Sequence, residues 1–164
     1  MYLGDGCIST GPRTTRLRIS LDAKYPEIIA DCRSLLQRVF PTNSVDLVPF
    51  HKGNAFNVSV YHRHLPCLLP QHGPGLKHSR PLVPELWQWA LLMAAPWPFI
   101  RGCIRTDGCA FTNRTDICQI LSLVLNHVGV AHRLTNGSKR GLHQIRINRR
   151  DDVALMLKHV GLKT

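Results

Sequence analysis

The tripeptide Asp-Gly-Cys occurs twice, at Asp5-Gly6-Cys7 and at Asp107-Gly108-Cys109, 102 positions apart. Each copy follows a short apolar run, and each opens a similar series of elements. A single Asp-Gly pair is a turn or a helix stop. Two copies in matching surroundings predict an internal duplication, with two carboxylates related by pseudo-symmetry. Phosphodiester chemistry uses such carboxylate pairs to hold divalent metal ions.

Charge narrows the partner. The 164 residues carry 21 Lys and Arg against 10 acids, a net charge of +11. A sequence pI near 10.0 follows, a balance that favours a polyanion, most often nucleic acid. The distribution strengthens this expectation. Between Ile117 and Arg150 there is no acid, while Arg133, Lys139, Arg140, Arg146, Arg149 and Arg150 fall in that stretch. Between Leu47 and Thr106 the only acid is Glu85.

Hydrophobic residues make up 44% of the chain, enough to bury a core in one domain or in two small repeats. The six cysteines include no Cys-x-x-Cys pair. They read as mostly buried thiols of a cytoplasmic, reducing environment, and Cys103 with Cys109 lacks the ligand spacing of a zinc site. No apolar run approaches ~18 residues, so no membrane partner is expected.

Residues 16–21 alternate, placing Leu17, Ile19 and Leu21 on one face and Arg16, Arg18 and Ser20 on the other. That pattern predicts a strand with a basic outer face. Pro26 and Glu27 suit the first turn of a helix. The spacing of Ile28, Ile29, Cys32, Leu35, Leu36 and Val39 gives this helix one apolar stripe, and Pro41 stops it. Residues 45–48 and 56–61 predict a hairpin around His51-Lys52-Gly53-Asn54. A short helical segment is expected at 65–69.

Residues 71–95 read as a linker and a connecting helix begun at Pro84. A helix over about 99–105 leads into the second Asp-Gly-Cys. Ile117, Ile120, Leu121, Val124, Leu125 and Val128 predict an amphipathic helix, capped by Thr115 or Asp116 and ended by Gly129. Gln144 to Asn148 alternates, with Ile145 and Ile147 inward. A last helix at about 151–159 carries Val153, Met156 and Leu157. Trp87 and Trp97 are expected in the core rather than in base stacking.

The expected fold is α+β, a pseudo-symmetric duplication of αββαββ-like units with antiparallel sheets. The repeats span 1–70 and 96–164. Asp5 precedes Pro26 by 21 positions, whereas Asp107 precedes Ile117 by only 10. The second half is therefore shortened by about one strand and its turn.

The residues resemble the LAGLIDADG homing endonucleases, of the single-chain, two-motif type. Ile100-Arg101-Gly102-Cys103-Ile104-Arg105-Thr106-Asp107-Gly108 stands where the nine-residue signature stands, and Met1-Tyr2-Leu3-Gly4-Asp5-Gly6 matches its last six positions. The first motif helix is truncated relative to that pattern. The resemblance implies saddle-shaped sheets and two motif helices packed side by side, with Gly102 permitting close approach. It implies Asp5 and Asp107 as catalytic metal ligands for Mg²⁺ or another divalent cation, with backbone oxygens from Gly4 and Thr106. It further implies binding and metal-dependent hydrolysis of double-stranded DNA by a monomer, associated with an intron or intein. A non-cleaving DNA-binding regulator and an RNA-binding splicing helper are alternatives on the same scaffold.

The resemblance assigns DNA reading to the sheets. Arg18 and Arg146 suit guanine, whereas Asn57, Gln144 and Asn148 suit adenine. Arg16 shares the basic face of the first strand. Arg13, Lys52, Arg80, Lys139 and Arg140, in turns or linker, suit phosphate contacts.

Overall fold

A computed structural model describes residues 1–69, 79–107, 111–112, 114–136 and 143–161. The chain divides into two compact units, Met1–Lys77 and His78–Lys163.

The first unit begins with a short helix α1 (Tyr2–Asp5), followed by strands β1 (Gly6–Thr10) and β2 (Thr15–Asp22). Helix α2 (Pro26–Val39), the hairpin β3 (Val45–Phe50) and β4 (Ala55–Tyr61), and a single turn α3 (Leu65–Leu68) complete it. The four strands form an antiparallel sheet in the order β1-β2-β4-β3. Strand alternation sends Leu17, Ile19, Leu21, Val58 and Val60 to one face, where they meet Ile28, Ile29, Cys32 and Leu36 of α2. Val58 and Val60 have no solvent exposure, and each such burial contributes roughly 1.5–3 kcal/mol. Burial pushes the Cys32 thiol up to about 11, and Asp31 adds to the shift. Cys32 is thus an inert core group.

Two details differ from the periodic reading. Leu35 and Val39 belong to the apolar stripe by spacing, yet both are exposed. The stripe that meets the sheet is narrower because the strand side chains reach only Ile28, Ile29, Cys32 and Leu36. The β3–β4 turn is a 3-10 segment in which Lys52 has φ of 56° and Gly53 has φ of 87°. Glycine is at ease there, whereas Lys52 holds a conformation L-residues seldom adopt.

The second unit contains α4 (Leu86–Ala94), α5 (Pro96–Asp107), β5 (Phe111–Thr112), α6 (Thr115–His127), β6 (Arg133–Asn136), β7 (His143–Arg146) and α7 (Arg150–Val160). Its strands pair antiparallel in the order β5-β7-β6. Removing β1 from the first sheet leaves β2-β4-β3, the same order by place in the chain. Among the described residues, the second sheet therefore has three strands where the first has four, the expected shortening. The core gathers Ile100 and Cys103 of α5, Cys118, Leu121, Val124 and Leu125 of α6, Ile145 of β7, and Met156 and Val160 of α7.

Several boundaries depart from expectation. Helix α5 starts at Pro96 rather than near Phe99, because proline is tolerated in the first turn. Strand β6 was not marked out by composition. Trp87 is exposed rather than in the core. Trp97 is half-buried and stacks on His159, with ring centroids 4.1 Å apart. Val153 and Leu157 lie on the exposed side of α7. Among the described cysteines, Cys32, Cys103 and Cys118 are buried, but Cys67 is exposed. No helix of the described residues is long and apolar enough to cross a membrane.

The N-cap of α6 is Arg114, without a side-chain cap, rather than Thr115 or Asp116, and Asp116 lies in the first turn of the helix. The Asp116 carboxylate accepts the Ile117 N–H at 2.9 Å and the Leu82 N–H at 2.8 Å. Arg114 Nε donates to the same carboxylate at 2.9 Å, and Arg114 Nη2 pairs with it as well. Arg114 also donates to the Arg80 carbonyl at 2.7 Å, tying residues 80–82 to the start of α6. Burial opposes ionisation of Asp116, but these hydrogen bonds and the Arg114 charge together outweigh it and lower its pKa. A depressed carboxyl pKa contributes stability that is complete above the unfolded value of about 4 and is lost as pH falls through the folded value. Asp116→Ala is expected to lower the unfolding free energy by about 2 kcal/mol at pH 7 in urea titrations. The variant should also lose less stability than the parent between neutral and acid pH.

Candidate nucleic-acid interface

The sheet registers determine which side chains share the faces turned away from the helices. In the first unit, Arg18 lies opposite Cys7 on β1 and Ser59 on β4, and Ser59 lies opposite Asp46 on β3. The neighbouring rows are Ser9–Arg16–Tyr61 and Ser20–Asn57–Val48. Arg16, Arg18 and Asn57 are therefore brought together on one open face.

These three residues are held differently. Arg16 lies along the sheet: its Nη2 donates to Ser59 Oγ at 3.1 Å, and its guanidinium carbon sits 5.5 Å from the Tyr61 ring centroid. Its Nε is buried with no acceptor among the described residues. Ser59 is fully buried in consequence, although it belongs to the open face. Arg18 is exposed. Ser20 donates to Asn57 Oδ1 at 2.8 Å, which orients the amide. One end of the sheet carries the β1–β2 turn, closed by Gly11 N–H to Thr14 O at 2.9 Å, with exposed Arg13 at its tip. Exposed Lys52 marks the opposite end, in the β3–β4 turn.

In the second unit, Gln144 lies opposite Thr135, and Arg146 lies opposite Arg133. Directly registered residues of an antiparallel pair project from the same face. Both arginines are exposed. Arg146 Nε donates to Gln144 Oε1 at 3.0 Å. Asn148 is exposed two positions beyond the end of β7. Lys139 and Arg140 lie outside the described residues. Arg80 is half-buried, with its carbonyl engaged by Arg114.

Strand pairing thus adds Arg133 to the residues that patterning singled out. The available signal was the alternation of Arg133 and Thr135 immediately before the Asn136-Gly137 turn. Asp46 is another addition, a half-buried carboxylate on an otherwise basic and amide-rich face that accepts from Ser44 Oγ at 2.8 Å.

The motif acids occupy helix ends. Asp5 is the last residue of α1 and is exposed, and Gly4 before it is half-buried. Gly6 then starts β1. A Cβ at Gly6 would stand 2.6 Å from the Tyr2 ring and carbonyl oxygen, so only glycine fits this close approach. Asp107 is the last residue of α5, with Thr106 before it. Gly102 sits in the middle of α5 and is half-buried. Asp5 belongs to the first unit and Asp107 to the second. Among the described residues, no group of three or more His, Cys, Asp and Glu side chains is arranged to hold a metal ion.

No protein-family model matches the chain, and no curated protein matches it significantly. Solved structures do. Mesophilic variants of the homing endonuclease I-DmoI match with a TM-score of 0.65 at 14% identity, covering 96% of this chain and 84% of the other. I-DmoI in complex with DNA and Mn matches with a TM-score of 0.65 at 15% identity, covering 97% and 90%. An I-DmoI variant in complex with its target DNA in the presence of Mg matches with a TM-score of 0.63 at 14% identity, covering 97% and 90%. The chain shares the α+β fold of these proteins, with its antiparallel sheets.

The Arg133–Arg146 register has a direct consequence for stability. Like charges opposite each other on adjacent strands are destabilising by a few tenths of a kcal/mol to about 1 kcal/mol. Arg133→Thr is accordingly expected to raise the melting temperature slightly at low salt, with the gain shrinking as salt is added.

Proposed function

We propose that the protein binds double-stranded DNA through the open faces of its two sheets and hydrolyses the phosphodiester backbone with divalent metal ions, as a LAGLIDADG-type homing endonuclease. The observation that carries this reading is the composition of those faces, with Arg18, Asn57, Gln144, Arg146 and Arg133 presented by antiparallel strands. A β-ribbon fits the DNA major groove and meets base edges with alternate side chains. The shared fold with I-DmoI, solved with DNA and metal ions, supports it.

Arg18 and Arg146 read guanine, while Asn57, Gln144 and Asn148 read adenine. Arg16 braces the Ser59 and Tyr61 surface beside Arg18. Arg13, Lys52, Arg80, Lys139 and Arg140 position the phosphate backbone. Arg133 adds positive potential beside Arg146.

Asp5 and Asp107 are the metal ligands in this reading, helped by carbonyl oxygens of Gly4 and Thr106. The donor set suits a hard cation. Both acids end helices, where backbone carbonyls also emerge. Mg²⁺ is commonly held by one or two carboxylates with waters and substrate phosphate oxygens, so a closed protein cage is not required. When bound, the metal polarises the scissile phosphate and lowers the pKa of an attacking water.

The test combines binding and cleavage on a randomised duplex library. Salt-sensitive binding is expected, together with Mg²⁺-dependent cleavage of a selected target. Asp5→Asn and Asp107→Asn should each reduce cleavage at least about 100-fold while leaving binding intact. Arg18→Ala and Arg146→Ala should each weaken the selected target by about 1–3 kcal/mol and relax preference at one position. Arg133→Thr should weaken all sequences alike. Binding without acid-dependent cleavage would reduce the reading to DNA recognition alone, and no binding at low salt would defeat it entirely.

A further inference from the structure

Strand β3 brings two side chains to the open face of the first sheet that a general affinity for DNA does not explain. Asp46 lies opposite Ser59, and Val48 lies opposite Asn57. Asp46 is half-buried and Val48 is exposed. The Ser44 hydroxyl donates to Asp46 Oδ1 at 2.8 Å. Among the described residues, no other side chain donates to this carboxylate, and no Lys, Arg or His pairs with it. Oδ2 is left with its acceptor capacity unused. In a chain of net charge +11, the face offered to a polyanion thus carries an uncompensated carboxylate. Such a group repels phosphate, so it is favourable only where it meets a hydrogen-bond donor.

The DNA major groove offers few donors. Guanine presents two acceptors there, and thymine an acceptor and a methyl group. Adenine presents an N6 donor beside the N7 acceptor, whereas cytosine presents its N4 amino group. A carboxylate therefore favours cytosine and disfavours guanine and thymine. A branched apolar side chain suits the thymine methyl. Given the double-stranded DNA contact proposed above, we infer that β3 is the pyrimidine-reading edge of this sheet: Asp46 accepts from a cytosine N4 amino group, and Val48 packs on a thymine methyl.

The sheet rows then carry matched readers. One row runs Arg18–Ser59–Asp46, a guanine reader and a cytosine reader with a small buried residue between them. Arg18 and Asp46 stand two strands apart, roughly 10 Å between backbones. A long arginine side chain can reach over Ser59 toward the base pair that Asp46 meets. The neighbouring row sets Asn57, the adenine reader, directly beside Val48. Because Ser20 donates to Asn57 Oδ1, the amide is oriented with both N–H donors left for the base. Each row accepts one whole base pair, its purine on the inner strands and its pyrimidine on β3. The guanine and adenine therefore belong to one DNA strand, and the cytosine and thymine to the other.

Target selection from a randomised duplex library, with the full chain at fixed salt, tests this edge. Asp46→Asn keeps the side-chain shape but adds donors, and is expected to move preference from cytosine toward adenine at one position. Asp46→Ala should lose roughly tenfold discrimination at that same position and keep the others. Replacing each thymine of the selected target by uracil removes only a methyl group. At one position this should weaken wild-type binding about fourfold, while Val48→Ala binds both duplexes equally. Unchanged cytosine preference in both Asp46 variants, or equal wild-type binding to the thymine and uracil duplexes, overturns the pyrimidine edge and leaves the DNA reading standing. A wild-type chain that binds no duplex at low salt defeats the DNA reading, and the edge with it.

Discussion

Burial of Val58 and Val60 beneath α2 is the constraint on which the first unit depends. Both are fully enclosed, and both sit in the central strand of the sheet's most extensive pairing. Because side chains alternate along a strand, enclosing this pair turns Asn57, Ser59 and Tyr61 outward. The β2 register then turns Arg16, Arg18 and Ser20 outward with them. A slip of one residue would bury Arg18 and expose Leu17 and Ile19, exchanging both faces at once. The position of the arginines is therefore a by-product of packing several valines and isoleucines correctly.

This dependence explains what was legible in the chain. Alternation at 16–21 and 56–61 marked both central strands, because one buried face leaves a strict period of two. Helices α2 and α6 were equally plain from their apolar spacing. Strand β6 was not, since the alternation of Arg133 and Thr135 runs over only four residues and Leu134 between them is exposed, so the pairing with β7 is what defines the strand. Arg133 was lost with that strand. Trp87 was misplaced because an apolar residue on a helical pattern is ordinarily buried, and neither composition nor spacing distinguishes the half-buried side of α4 from the exposed one. Asp116 was expected as a cap, but it sits in the first turn behind the Arg114 N-cap, and its bond to Leu82 spans 34 positions and exists only in the folded chain.

The two units show how one scaffold tolerates a missing edge. In the first sheet β1 pairs with β2 alone, so it is an edge strand. Among the described residues the second sheet has no counterpart of it, and the order β5-β7-β6 survives as the counterpart of β2-β4-β3. Edge strands contribute fewer shared hydrogen bonds and less core than central ones. The shorter spacing after the second Asp-Gly-Cys removes the element whose loss disturbs its neighbours least.

The exposed arginines of the second sheet set stability against the proposed DNA contact. Arg133 and Arg146 stand in direct register, and the stretch from Ile117 to Arg150 contains no acid that might separate them. In the isolated protein that pairing is repulsive. A polyanion laid against the same face changes the sign of the interaction, because each guanidinium then gains phosphate or base contacts and releases counterions from the nucleic acid. The first sheet handles its charges otherwise, bracing Arg16 against Ser59 and Tyr61 and leaving Arg18 projecting beside them. A face selected only for stability would favour the first arrangement in both units. On the second sheet only Arg146 is held, by Gln144, and the proposed DNA contact would relieve the repulsion that remains between Arg146 and Arg133.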